Sequence, residues 1–320
     1  MEKRNLGKTG IKVSELGLGC WALGGFSSIN GIPMTYGDVQ ENTANEIFKT
    51  AFLSGINTFD TADSYSLGNS EKRLSNALKE HREEIHIFTK AGIYPSNLKP
   101  IPMETDLSYH NLLSTLDRSL KRLNTKYVDV FLSHKPPNSE KELENIEKTF
   151  ETIKKEGKAT ACGISIGLNY EKGIELIENK NVDCIELYFS LIDCRPIKKL
   201  FPLAKKMNVG LIVAEPLSQG FLTGKYDKNN KFPKNDIRNY SYSPSLFEQK
   251  IEKSKQFEFL IKENRTLSQA ALSYVLSKEE ISTCVPGCKS IEQLKQNINV
   301  KNNLNREELD KIYKIQQQWL

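Results

Sequence analysis

Asn57-Thr58-Phe59-Asp60-Thr61-Ala62-Asp63-Ser64-Tyr65-Ser66 decides how the chain is read. A short apolar run after Gly55 stops on a carboxylate, and five residues later a tyrosine stands on what must be a loop. An α/β barrel presents its chemistry in this way, at the carboxyl ends of buried parallel strands. The punctuation returns twice: Ile85 to Thr89 runs into Lys90, and Tyr127 to Ser133 runs into His134. Three buried strands that each end on a polar residue predict one rim carrying Asp60, Tyr65, Lys90 and His134.

Outward from that stretch, helical and strand patterns alternate. Ala44, Ile47, Phe48 and Ala51 fall on one helix face, as do Leu74, Ala77 and Leu78 after a start at Ser70-Glu71. Leu112, Leu116, Leu120 and Leu123 repeat the pattern, and Leu143, Ile146, Phe150 and Ile153 do so again. Further apolar runs at 159–165, 182–190 and 209–214 suit fully buried parallel strands. Residues 6–12 read as a hairpin and 13–21 as the first strand. A last strand is expected at 283–286, a helix at 290–298 and a C-terminal helix at 306–318. Unbroken alternation predicts an α/β fold, a single (β/α)8 TIM barrel over residues 1–320 with an N-terminal β-hairpin and a C-terminal helix. The polar stretch 218–243 is too long for a connection and reads as a lid or belt. Gly17-Leu18-Gly19-Cys20-Trp21-Ala22 mimics a dinucleotide turn, but Leu23-Gly24-Gly25 follows where a helix should begin.

Composition excludes several classes. The 320 residues fit one barrel, and none of the six cysteines forms a C-x-x-C pair, so neither a metal site nor a disulfide framework is expected. The net charge of +5 carries no basic run interleaved with aromatics, which argues against nucleic acid and suits an anionic small molecule. No stretch reaches membrane-span length, and the opening residues lack a signal segment, so a cytoplasmic location and no membrane partner are expected. His81, His86 and His110 read as surface or strand residues.

On one rim, the four residues form a proton-delivery device. A tyrosine hydroxyl is a poor acid near its ordinary pKa of ~10, but a neighbouring ammonium stabilises the phenolate. A carboxylate behind the lysine holds it charged, and a histidine orients a carbonyl oxygen. Phe59 to Tyr65, Phe88 to Gly92 and Val128 to His134 resemble the three catalytic segments of the aldo-keto reductases. The resemblance extends to Leu6-Gly7-Lys8-Thr9-Gly10, to Gly157 through Ser165, to Pro216 through Lys225 and to Val285 through Gln293.

That resemblance implies roles. Tyr65 would be the general acid, Lys90 and Asp60 its tuning pair, and His134 the carbonyl orienter, with Trp21 lining the substrate pocket. Ser165 and Glu186 would meet the nicotinamide carboxamide. Pro216, Leu217, Ser218, Gly220 and Lys225 would belt the pyrophosphate with Arg238. Gly287, Lys289 and Ser290 lie where the family binds the adenosine 2′-phosphate, which implies NADPH/NADP+, and Gln293 and Asn297 would face the adenine. The implied activity is NADPH-dependent reduction of an aldehyde or ketone, a sugar or related metabolite among the candidates. The alternative is a cofactor-sensing subunit with slow turnover, as in potassium-channel β subunits; the intact tetrad favours the enzyme. Ile166, Glu186 and Ala214 depart from the family pattern. An ionised Glu186 in place of glutamine accepts hydrogen bonds but donates none, unless it merely faces the lid as a solvated charge.

Overall fold

The computed structural model describes residues 1–96, 103–301 and 303–319. Eight parallel strands lie in chain order: β1 (Leu18–Gly19), β2 (Thr58–Asp60), β3 (His86–Ala91), β4 (Val128–Ser133), β5 (Ala159–Gly167), β6 (Cys184–Tyr188), β7 (Gly210–Ala214) and β8 (Ile281–Cys284). Parallel bridges from Leu16 to Cys284 and from Gly19 to Gly287 bring the last strand back to the first. The Gly17 and Gly19 amides donate to the carbonyls of Cys284 and Pro286 at 2.8 and 3.1 Å, so the sheet curls into the expected barrel.

Among the described residues ten helices of two turns or more surround it: α1 (Glu41–Leu53), α2 (Asn69–Leu78), α3 (Tyr109–Leu123), α4 (Glu140–Lys155), α5 (Tyr170–Glu178), α6 (Leu200–Met207), α7 (Pro244–Lys255), α8 (Leu267–Leu276), α9 (Ile291–Ile298) and α10 (Arg306–Gln316). The faces read from periodicity are the faces that pack: Ala44, Ile47, Phe48 and Ala51 of α1 are buried, as are Leu112, Leu116, Leu120 and Leu123 of α3. Local signals set the ends. Ser108 and Ser139 cap α3 and α4 through their hydroxyls, and Asn124 and Asn208 close α3 and α6 in the left-handed conformation at φ 50 and 52°. Among the described residues no helix is long and apolar enough to cross a membrane.

The barrel interior is open at one end only. Leu6, Ile11 and Val13 from the N-terminal hairpin join Phe88, Val130, Leu132, Ala161 and Ile212 in one buried cluster that plugs the amino end of the strands. This hairpin pairs Lys3–Asn5 with Lys12–Ser14, which corrects the expected boundaries. Residues 12–14 belong to the plug, and β1 keeps only two residues. The cause is Asn57, whose amide accepts from the Ser14 backbone at 2.6 Å and donates to the Lys12 carbonyl at 2.9 Å. The last strand also starts earlier than expected, at Ile281, and the C-terminal helix ends at Gln316. His86 Nδ1 donates to the Asp129 carboxylate at 2.8 Å and serves the strand array, in line with its expected role.

Two glycines set how closely strands approach. A methyl group on Gly19 would stand 2.7 Å from the Val285 carbonyl oxygen, and one on Gly163 would overlap the Cys184 carbonyl oxygen. The second approach locks β5 to β6 in the register that puts Ser165 opposite Glu186, just before a bulge between Ser165 and Gly167. Gly163→Ala is therefore expected to cost about 2–3 kcal/mol of stability, read as a lowered midpoint in chemical denaturation. A midpoint within error of wild type would show that the strands can part without penalty.

Candidate active site

Strand ends bring the four rim residues together. Asp60 closes β2, Lys90 stands one residue from the end of β3, and His134 follows β4. Tyr65 sits on a tight turn in which Ser66 and Leu67 take left-handed φ of 49 and 55°. That turn is pinned by Ser66 Oγ donating to the Gly25 carbonyl at 2.7 Å and by the chain Thr61 Oγ1 to Ser70 Oγ to the Cys20 carbonyl, each link 2.9 Å. The ammonium of Lys90, fully buried, donates to both Asp60 oxygens at 2.6 and 2.7 Å, to the Thr61 carbonyl at 3.1 Å and to Tyr65 Oη at 3.3 Å. The indole of Trp21 stacks on the Tyr65 ring at 5.9 Å and is held by its own N–H bond to the Met34 carbonyl at 2.8 Å. His134 meets the same ring edge-on at 5.7 Å, with Nδ1 3.4 Å from Ser64 Oγ.

Glu186 joins this group. It is 3% exposed, one oxygen accepts from Ser165 Oγ at 2.7 Å, and the other lies 3.2 Å from Lys90 Nζ with no hydrogen bond aimed at it. A solvated residue facing the lid is thereby ruled out. Ile166, next along β5, packs its side chain against Gly173 of α5, and the residue also lines the cleft. Ala214 is the last residue of β7 and lines the cleft.

Burial governs the protonation states. It pushes the Asp60 carboxyl up to about 8, against the pull of Lys90 and with the push of Glu186. Burial also disfavours the Lys90 ammonium, but Asp60 and Glu186 outweigh it and raise that group well above the usual lysine range. Tyr65 is pushed upward by burial; Lys90 opposes this, while Asp60 and Glu186 add to it. Lys90 does pull Tyr65 toward the stronger acid, as expected, but burial, with Asp60 and Glu186 adding to it, outweighs that pull. Tyr65 keeps its proton at every working pH, as a proton donor must. Burial, Lys90 and Lys135 hold His134 well below the usual histidine range, so its ring is neutral.

The rim opens into a cleft of about 910 Å³. Its walls include Trp21, Ser165, Glu186, Pro216, Leu217, Gly220, Lys225, Arg238, Gly287, Lys289, Gln293 and Asn297. Two serines expected at the phosphates accept other hydrogen bonds and keep their O–H groups to donate. Ser218 Oγ accepts from Lys250 at 3.1 Å, and Ser290 Oγ caps α9 by accepting from the Gln293 amide at 3.3 Å. The stretch expected to be a belt crosses the cleft mouth, where the Ile237 amide donates to the Thr35 carbonyl at 2.9 Å and Tyr36 bridges Asp236.

Arg238 is anchored there by Asp236 at 2.6 and 2.9 Å and by the Gln219 carbonyl at 2.7 Å, and it lies over the Tyr36 ring at 4.6 Å. The Lys289 ammonium donates to the Tyr36 carbonyl at 2.8 Å, and its pKa is lowered by burial, by Arg238 and by Lys225, with Asp236 opposing. Three crowded cations at one end of a deep cleft, with an unsatisfied carboxylate oxygen at the other, fit a nucleotide with a phosphate at one end and an amide at the other. Among the described residues no cluster of three His, Cys, Asp or Glu is placed to hold a metal.

Sequence reasoning missed Tyr36, Tyr188, Glu215 and Asp236, all at or beside the cleft. Tyr188 was legible, two residues beyond Glu186 on the same strand and hence on the same face. The other three lie on irregular segments without a period, Glu215 with a left-handed φ of 54°.

The family profile described as Aldo/keto reductase family matches residues 15–317. The chain is 30% identical over 314 residues to the uncharacterized oxidoreductase YqkF of Bacillus subtilis, covering 97% of this chain and 94% of that one. It is 27% identical to the NADH-specific methylglyoxal reductase of Escherichia coli, covering 94% of each. The holo form of the aldo-keto reductase AKR11C1 from Bacillus halodurans superposes with a TM-score of 0.78 at 28% identity, covering 98% of this chain and 96% of that one.

The neutral His134 ring has a consequence for stability. An unfolded histidine takes up a proton near ~6.5 while the folded one resists, so this residue's contribution is complete above that pH and declines below it, by at most about 1.4 kcal/mol per pH unit. His134→Asn should flatten the stability profile of the protein alone between about pH 6.5 and 5. An unchanged slope would show that the ring charges freely in the cleft.

Proposed function

The chain belongs to the aldo/keto reductase family, and from that premise we propose that it reduces a small aldehyde or ketone to the alcohol with NADPH, as a cytoplasmic enzyme working as one domain over residues 1–320. The observation that carries this reading is the protonated Tyr65 hydroxyl 3.3 Å from a buried Lys90 ammonium on the floor of the cleft. A bound reduced nicotinamide supplies the hydride for the carbonyl carbon. Tyr65 donates its proton to the carbonyl oxygen as negative charge develops there. Lys90 stabilises the phenolate that remains, and Asp60 keeps the ammonium charged and fixed. With Ser64 donating to Nδ1 of the neutral His134, the Nε2–H donates to the same oxygen. Trp21 and Tyr65, stacked on each other, exclude water from one side.

The cation cluster supports NADPH over NADH, because a 2′-phosphate would relieve the repulsion among Lys225, Arg238 and Lys289. A relative described as NADH-specific makes the comparison of the two cofactors the first experiment. Oxidation of each should be followed with a panel of small aldehydes, ketones and sugars. Turnover with NADPH is the expected result; binding without turnover would favour the cofactor-sensing subunit.

Two substitutions test the assignments. Tyr65→Phe keeps the stacked ring and removes the hydroxyl, so turnover should fall by about 10²-fold or more with cofactor binding near wild type; retained turnover would remove Tyr65 from the role of acid. Lys289→Met should weaken NADPH far more than NADH, and the wild-type preference should shrink as salt rises. Equal loss for both cofactors would place the lysine away from the phosphate.

A further inference from the structure

Two carboxylates stand on one ammonium at the centre of the site. Asp60 takes both short bonds from Lys90, while Glu186 lies 3.2 Å from the same nitrogen, is bonded by Ser165 and keeps one buried oxygen without a donor. Both carboxyl groups are almost wholly buried. Like charges this close do not ionise together at no cost, because the first carboxylate makes the second harder to form. One lysine neutralises one of them. The other is neutral while it holds a proton and leaves the group at a net charge of −1 when it loses it.

We propose that Asp60 and Glu186 share one proton over Lys90 and release it to solvent when the oxidised nicotinamide binds, so that Glu186 makes the choice between oxidised and reduced cofactor depend on pH. This rests on the reading of the cleft as a nicotinamide nucleotide site. The oxidised ring carries a positive charge that the reduced ring lacks, and the rest of the nucleotide is identical. A cation beside the group stabilises the doubly ionised pair and expels the proton; a neutral ring does not. The upward push on Asp60 to about 8, to which Glu186 contributes, places the event within a measurable range.

The neighbouring groups do not compete. Burial keeps Cys20 beside β2, Cys184 and Tyr188 on β6, and Tyr65 protonated. His134 stays neutral. Glu215, after β7, is the other buried carboxyl near Glu186 and is also pushed up by burial. It is bonded to Gln219 at 2.5 Å rather than to Lys90, and it provides the control.

The test is the ratio of the dissociation constants of NADP+ and NADPH across pH, for the wild type and for Glu186→Gln and Glu215→Gln. Ionisation of the 2′-phosphate is common to both nucleotides and cancels in the ratio. In the wild type, NADP+ should gain on NADPH by up to about tenfold per pH unit between about pH 6.5 and 8. Calorimetry in buffers of different ionisation enthalpy should count close to one proton more released with NADP+ than with NADPH. The dependence should vanish in Glu186→Gln and persist in Glu215→Gln. A wild-type ratio flat with pH overturns the proposal, even if the variant fails to fold. Loss of the dependence in Glu215→Gln alone overturns it in favour of the other carboxyl. A wild type that binds neither nucleotide overturns it together with the reading of the cleft.

Discussion

The buried ammonium of Lys90 is the constraint from which the rest of the structure follows. Removing a charge from water costs several kcal/mol even after relaxation, and the barrel offsets that cost with hydrogen bonds from two directions and an ion pair from a third. Asp60 comes from the adjacent strand, the Thr61 carbonyl from the turn after it, and Glu186 from across the barrel. Each of those groups must then be held. The turn carrying Tyr65 is tied to Gly25 and Cys20, and β5 is pressed against β6 so that Ser165 can reach Glu186. The proton donor is thus placed by the partners of the lysine, and burial, reinforced by the same carboxylates that keep the lysine charged, raises its pKa.

The two ends of the barrel divide the remaining work. Leu6, Ile11 and Val13 fill the amino end, which leaves the carboxyl ends of the strands as the open face. Over that face runs the belt, where Arg238 is braced by Asp236 and aromatic rings and Lys289 reaches across to Tyr36. The cleft therefore has the carboxyl pair on its floor and a positive outer end. A molecule with a cationic ring at one end and phosphates along its length matches that polarity.

Much of this was legible in the chain. Periodicity marked the buried faces of α1, α3 and α4, because a helix that packs on a barrel must repeat its apolar positions. Strand runs ending on Asp60, Lys90 and His134 marked the rim, because a barrel of parallel strands presents its chemistry at their carboxyl ends. The illegible parts are those with no period. Tyr36, Glu215 and Asp236 lie on irregular backbone whose path is set by long-range bonds such as that from Ile237 to Thr35. The short β1 escaped because Asn57, far along the chain, claims residues 12–14 for the plug. Glu186 was identified by position, but its contact with Lys90 depends on the register of β5 with β6, and no pattern of residue types encodes that register.

The central claim is that the Lys90-supported tyrosine completes a hydride transfer to a carbonyl carbon. Single-turnover reaction of NADPH carrying deuterium at nicotinamide C4 with a carbonyl that the enzyme accepts tests it most directly. Deuterium on the carbinol carbon with the wild type, and a transfer slowed by orders of magnitude in Lys90→Met with the nucleotide still bound, is the predicted result. Equal transfer rates in the two proteins, or an alcohol free of deuterium, would contradict it.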